Sequence, residues 1–271
     1  MDRPIDQRQQ KQGSEALILV EKRSGIATIT LNRPKALNAL TKPMLTSLAG
    51  IFKQLDSDPE VKVIIITGSG RAFCSGVDLT AAQEVFKGDV KDKSADPVAQ
   101  MERCKKPIIG AINGLAITAG FELSLACDIL FASSNAKFID THSKFGIFPS
   151  WGLSQKLARL IGVNRAREVS LTALPLEAST AERWGLVNRV VSPSELMETA
   201  RAVAEAIARN DEKMVLLYKA MINDGVNLAL GNALELEKER AHDYYSKMKP
   251  DHFQAMQKYI TGRSSSRQSK L

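Results

Sequence analysis

The stretch IIGAINGLAITAGFELSLACDI, residues 108–129, holds a strand, a glycine-bearing loop and a helix in succession. Ile108 to Asn113 is a short apolar run of the kind that forms a buried strand. Gly114 breaks it, and small residues lead into an apolar helical pattern of Phe121, Leu123, Leu125, Ala126 and Cys127. A further strand run, DILFAS (128–133), follows. Glu122 is the one charge in the helical part before Asp128. A carboxylate in a first helical turn ordinarily stabilises the helix dipole by roughly 0.3–1 kcal/mol. Here its neighbours all call for burial. An unpaired buried carboxylate costs several kcal/mol or titrates at raised pH, which suits proton transfer near neutrality.

Upstream, the same order recurs. VKVIIITG (61–68) reads as a buried central strand, then comes the glycine-bearing loop GSGRAFCSGVDL, then a helix reaching about Lys105 and stopping before Pro107. Two copies of strand, tight loop and helix predict an α/β core that takes ligands at the strand carboxyl ends. ALILVE (16–21) and GIATITLN (25–32) read as a hairpin. Thr41, with Pro43 and the pattern Met44, Leu45, Leu48, Ile51, Phe52 and Leu55, predicts a capped helix. KGDVKDKSADP (87–97) is polar and reads as a mobile segment. From about Trp151 the pattern is nearly all helical, clearest over 194–209, while 233–248 reads as a subunit-contacting or lid helix. No repeat of fixed period is present.

The chain has 271 residues, 44% hydrophobic and 25% charged, enough for one large or two small cores. No apolar run approaches the roughly 18 residues that span a bilayer, so no membrane is expected. MDRPIDQRQQKQGSE lacks the apolar centre of a secretory signal. Cys74, Cys104 and Cys127 show neither paired nor metal-ligand spacing and read as reduced thiols, Cys127 in the core. Arg263, Arg267 and Lys270 give the last eleven residues +3, and the first thirteen carry +1. That leaves +3 of the net +7 spread over the body, which suits a small anionic ligand and argues against nucleic acid. The terminal Ser269-Lys270-Leu271 matches the tripeptide read by the peroxisomal import receptor, and the small polar GRSSSRQ before it would keep it exposed. The expected location is the peroxisomal matrix.

GSGRAFCSG lacks the Gly-Lys-Ser/Thr of a phosphate loop, and Phe73 stands where a dinucleotide fingerprint needs its third glycine. His142, His242 and His252 lie far apart, so no metal site is expected. Backbone chemistry remains. SGVDL (75–79) offers the amide of Val77, and TAGFE (118–122) offers that of Ala119 or Gly120 at a helix start. Two such donors on one oxygen form an oxyanion hole, each worth about 3–4 kcal/mol. On spacing alone the same glycines read better as ordinary turn residues.

Together, ITLNRPKALNALT, IIITGSGRAFCSGVDL, KPIIGAINGLAITAGFELSLACDI and FGIFPSWGLSQKLARLIG resemble the crotonase family, the enoyl-CoA hydratase/isomerase superfamily, from about residue 14 to 260. The resemblance implies an α/β fold with repeated ββα units and a helical C-terminal part that trimerises. The implied organisation is a flexible segment at 1–13, a core at 14–192, the helical part at 193–260 and a tail at 261–271. It also implies a homotrimer or homohexamer and an acyl-CoA thioester whose carbonyl lies between the amides of Val77 and Ala119. Substrate contacts fall on Lys35, Ala36, Leu37, Ser75, Gly76, Val77, Asp78, Leu79, Ala119 and Gly120. Coenzyme A is part of the substrate, and no separate cofactor is implied.

In the family's hydratases two glutamates share one water, and the first matches Glu122. In KFIDTHSKFGIFPSWG, His142 stands where the second belongs, a departure from the pattern. His142 can take the acid/base role, Asp140 can take it from the same face two residues earlier, Glu122 can work alone, or His142 merely packs beside the pocket. Isomerases keep an acid at that place or just after the Pro149 position, where this chain has Ser150. The expected activity is therefore hydration of a 2-enoyl-CoA, with an isomerase or a non-catalytic acyl-CoA-binding protein as alternatives.

Overall fold

A computed structural model of the chain describes residues 16–80, 93–248 and 257. The 1–13 segment, positions 87–92 of the polar stretch, and the tail with Ser269, Lys270 and Leu271 lie outside the described residues. Two compact units divide after Leu216.

In the first unit, β1 (Ile18–Arg23) and β2 (Ile26–Leu31) form the expected antiparallel hairpin, turning on Ser24 and Gly25. β2 is followed by β3 (Val63–Gly68), β5 (Ile108–Ile112) and β7 (Ile129–Ser133), and the sheet closes on β10 (Arg189–Val191). The order is β1-β2-β3-β5-β7-β10, parallel from β2 onward. A strand buried on both faces sends alternate residues to opposite sides. Accordingly Ile64 and Ile66 of β3 join the core beneath α1 (Lys42–Ser57), while Val63 and Ile65 pack with Ile109, Ala111 and Phe131. That second face is covered by Leu196, Ala200 and Ala204 of α8 (Leu196–Ala208). The first helix of the 193–260 stretch thus belongs to the sheet's own unit. α1 begins where the sequence pattern places it, with Thr41 Oγ1 accepting from Met44 N at 3.4 Å. That bond is long, so Thr41→Ala should cost only about 0.5–1 kcal/mol, read as a lowered urea midpoint at unchanged slope.

A second sheet is not legible in the periodicity, although the repeated ββα units implied by the family resemblance are present. β4 (Ala72–Cys74), β6 (Leu115–Ile117) and β8 (Lys137–Ile139) pair in parallel, and β9 (Leu176–Glu177) adds antiparallel to β8. Each of β3, β5 and β7 runs through a short connection into its three-residue partner in this sheet. Helices follow: α2 (Pro97–Arg103), α3 (Ala119–Leu125) and α4 (His142–Phe145). The repeat is therefore strand, strand, helix. Three residues are too few for a period-2 pattern to stand out, which is why the short strands read as loop. α5 (Leu153–Ile161), α6 (Val163–Thr172) and α7 (Ala178–Arg183) complete the unit apart from the start of α9 (Glu212–Gly225).

The second unit holds the rest of α9 and α10 (Leu230–Ser246), where Arg240 pairs with Asp224 at 2.6 Å. Cys74 and Cys104 are buried and Cys127 is only half-buried, because it sits just past the end of α3. No described helix is long and apolar enough to cross a membrane.

Candidate active site

A cleft of about 1240 Å³ in the first unit is walled by the loops at the ends of β4 and β6, the start of α3, and the 141–151 segment. Ser75, Gly76, Val77, Asp78, Leu79, Ala119, Glu122 and His142 all line it. Lys35, Ala36, Leu37, Gly120 and Asp140 do not. The carbonyls of Leu37 and Ala36 accept from Ser75 N (3.0 Å) and Ser75 Oγ (3.5 Å), bracing one wall from behind. Asp78 is held by Thr80 and by Arg33 Nη1 at 2.5 Å, and these contacts bring its carboxyl down to about 2.

The two loops meet closely. Gly76 has φ +102°, and a Cβ there would lie 3.2 Å from Ile117 O and 3.8 Å from Ala119 N. Leu40 donates to Gly76 O (2.8 Å) and accepts from Asp78 N (2.9 Å). Successive strand N–H groups point to opposite sides, so Val77 N–H faces away from Leu40. Ala119 opens α3, where the first amides have no helical acceptor. Its approach is set by Thr118, a β-branched residue at φ 49°, ψ −105°. Such a conformation costs of order 1–3 kcal/mol and survives only where its surroundings enforce it. Thr118 N donates to Ile139 O at 2.8 Å, and its hydroxyl bonds that of Thr141.

Glu122 is 3% exposed. Its Oε1 accepts from Trp151 N (3.0 Å) and Leu153 N (3.3 Å) on either side of Gly152, a turn at φ +99°. Its Oε2 lies 4.0 Å from His142 Nε2. Burial pushes the Glu122 carboxyl up, opposed by His142 and by the two amides. His142 Nδ1 lies 2.7 Å from Asp140 Oδ1, which also accepts from His142 N at 3.0 Å. Burial alone would lower the imidazole, but its bond to Asp140 and the charges of Glu122 and Asp140 raise it on balance. Asp140 is 2% exposed. Burial raises its carboxyl, yet hydrogen bonds from His142 and Ser170 outweigh that and hold it below the usual range.

Glu122 and His142 are therefore brought face to face, with Asp140 behind the histidine and outside the cleft wall. Sequence reasoning missed Thr118, Thr141 and the amides of Trp151 and Leu153. Gly152, in an otherwise helical pattern, was the available hint of a turn that could present two amides.

The chain matches the model of the enoyl-CoA hydratase/isomerase family over residues 21–266. It is 64% identical over 257 residues to the probable peroxisomal enoyl-CoA hydratase 1 of Arabidopsis thaliana, covering 94% of this chain and 97% of that protein. The short-chain-enoyl-CoA hydratase of Clostridium acetobutylicum is 38% identical, over 84% of this chain and 89% of that one. The crystal structure of the Bacillus anthracis enoyl-CoA hydratase superposes with a TM-score of 0.80 at 33% identity, covering 91% of this chain and 96% of its own.

Proposed function

Since the chain belongs to the enoyl-CoA hydratase/isomerase family, we propose that it adds water across the C2=C3 bond of a 2-enoyl-CoA to give a 3-hydroxyacyl-CoA. One observation carries this reading. The 4.0 Å between Glu122 Oε2 and His142 Nε2 is too long for a direct hydrogen bond, and it lets one water lie within about 2.8 Å of both atoms. Ionised Glu122 takes a proton from that water as its oxygen attacks C3. Electron density moves to the thioester oxygen, where the amides of Val77 and Ala119 stabilise the enolate. His142, protonated at Nε2, delivers a proton to C2. Glu122 is left protonated and His142 neutral, and a proton passing between them through the next water resets the pair.

The bond to Asp140 and the nearby carboxylates favour the protonated form of His142, whereas burial opposes the ionised form that Glu122 must take to accept a proton. Activity should therefore rise through the ionisation of Glu122 and fall through that of His142, as apparent values of the coupled pair. Coenzyme A arrives as part of the substrate, and the conjugated thioester supplies the electron sink, so the scheme needs no further cofactor. Lys35, Ala36 and Leu37, which lie outside the cleft lining, are proposed to meet the coenzyme A portion of the substrate. A homotrimer or homohexamer is the proposed assembly. The peroxisomal name of the Arabidopsis relative and the terminal Ser269-Lys270-Leu271 support a role in peroxisomal fatty-acid β-oxidation, with import through the receptor for that tripeptide.

The test is loss of the conjugated enoyl-thioester absorbance when purified protein meets crotonyl-CoA. Turnover is expected, lowered about 10²-fold in His142→Gln. Binding without turnover on short and long 2-enoyl-CoA substrates would overturn the hydratase reading. So would a double-bond shift in a 3-enoyl-CoA with no water taken up.

A further inference from the structure

We propose that Asp140 is the positioning residue of the site, and that with Ser170 behind it Asp140 fixes the proton of neutral His142 on Nδ1. All of the histidine's proton exchange with substrate then occurs at Nε2. This deepens the hydratase reading and rests on it for the catalytic consequence, though not for the tautomer itself.

The geometry is specific. Asp140 Oδ1 accepts from the backbone N of His142 (3.0 Å) and lies 2.7 Å from its ring Nδ1, so one oxygen sits against both the ring and its own main chain. Two bonds from one residue leave the imidazole little freedom to rotate. The Ser170 hydroxyl, on α6, hydrogen-bonds the same carboxylate. The Ser170 carbonyl accepts from Ser143 Oγ at 2.6 Å, which ties α6 to α4 directly behind the histidine. With Asp140 ionised, Nδ1 can only donate, and the neutral ring must present its lone pair at Nε2. Nε2 is the atom that faces Glu122 across the 4.0 Å gap. The charged groups acting on His142 are Asp140 behind it and Glu122 in front.

Charge explains why the arrangement needs an aspartate. A lone imidazolium in place of a neutral carboxylic acid would add a positive charge to a buried site. The Asp140–His142 couple is neutral as a unit when the histidine is protonated and carries one negative charge once the proton is delivered, the same change that a carboxylic acid in its place would undergo. Burial makes the carboxylate of Asp140 intolerant of losing this partner, because an unpaired buried charge is costly.

The direct experiment uses the wild-type protein with ¹⁵N-labelled histidine. The chain has three histidines, and the resonances of His142 are assigned by their loss in His142→Gln. Above the His142 titration, Nδ1 should carry the proton and Nε2 should not. A neutral ring protonated at Nε2 would overturn the proposal, whether or not the protein proves to be a hydratase. The second measurement is Asp140→Asn with crotonyl-CoA. The amide can donate to Nδ1 and so favours the Nε2–H tautomer, while the loss of its charge lowers the imidazole. Relative to wild type, kcat should fall 10-fold or more with KM changed less than threefold, and the alkaline limb of the pH profile should move to lower pH. Ser170→Ala removes a donor from the carboxylate and leaves Asp140 the stronger partner for the imidazolium, so it should move the same limb slightly to higher pH. An unchanged alkaline limb in a folded Asp140→Asn, even with reduced kcat, would show that Asp140 only braces the chain.

Discussion

Glu122→Gln should lower kcat for crotonyl-CoA by about 10²–10⁴-fold while leaving the protein folded and no less stable at neutral pH. The substitution keeps an oxygen where Trp151 N and Leu153 N now donate at 3.0 and 3.3 Å, so no buried amide loses its partner. What it removes is the ability to take a proton from water. The stability half follows from linkage. Burial raises the Glu122 carboxyl in the folded state. A group so raised contributes stability that is present below its unfolded pKa and lost as pH rises through the folded value. At neutral pH the ionised carboxylate is a burden to the fold, and an uncharged isostere relieves it. Parallel measurement of turnover and of the thermal midpoint between pH 4 and 8 checks both halves. A variant that is inactive and markedly less stable at pH 7 would mean that the carboxylate holds the 151–153 turn by its charge, and its loss of activity would then say nothing about proton transfer.

Gly120→Ala is expected to be as damaging by a different route. A Cβ at Gly120 would sit 2.1 Å from the carbonyl oxygen of Cys74 and 2.8 Å from its carbon. Both are backbone atoms of β4, so no rotamer change relieves the clash. α3 must move away from the second sheet, at a cost of roughly 3 kcal/mol or more. The same movement separates Ala119 N from the Gly76–Val77 loop. Misplacing a preorganised donor by an ångström costs about 10² in rate, so kcat/KM should fall by at least that factor even at temperatures where the variant remains folded. Circular dichroism melting with turnover measured well below the midpoint separates the two effects. Wild-type kcat/KM in this variant would overturn the assignment of the Ala119 amide to the oxyanion site.

These expectations rest unequally on sequence and on structure. The β2, β3, β5 and β7 runs, α1 with its Thr41 cap and the α8 pattern were legible in the chain because each spans enough residues to repeat its own period. Glu122 was legible for a related reason: a lone carboxylate amid Phe121, Leu123 and Leu125 is a local conflict, and such conflicts mark sites. The family was legible in four ordered motifs. By contrast, β4, β6 and β8 have three residues each and exist only because strands distant in sequence pair with them. The surroundings of the His142 position are likewise set by the fold. In an extended segment Asp140 and His142 would share one face. The chain instead enters α4 at His142, which turns the ring toward Glu122 and leaves Asp140 behind it at 2.7 Å. The bonds from Trp151 and Leu153 to Glu122 join residues 29 and 31 positions apart, and the strain at Thr118 is set by Ile139 and Thr141. Periodicity and residue type act over a turn or a pleat, so the sequence by itself determined the elements, the family and the buried acid. Which atoms face which across the cleft depends on how sheets and helices dock, and only the tertiary structure decided that.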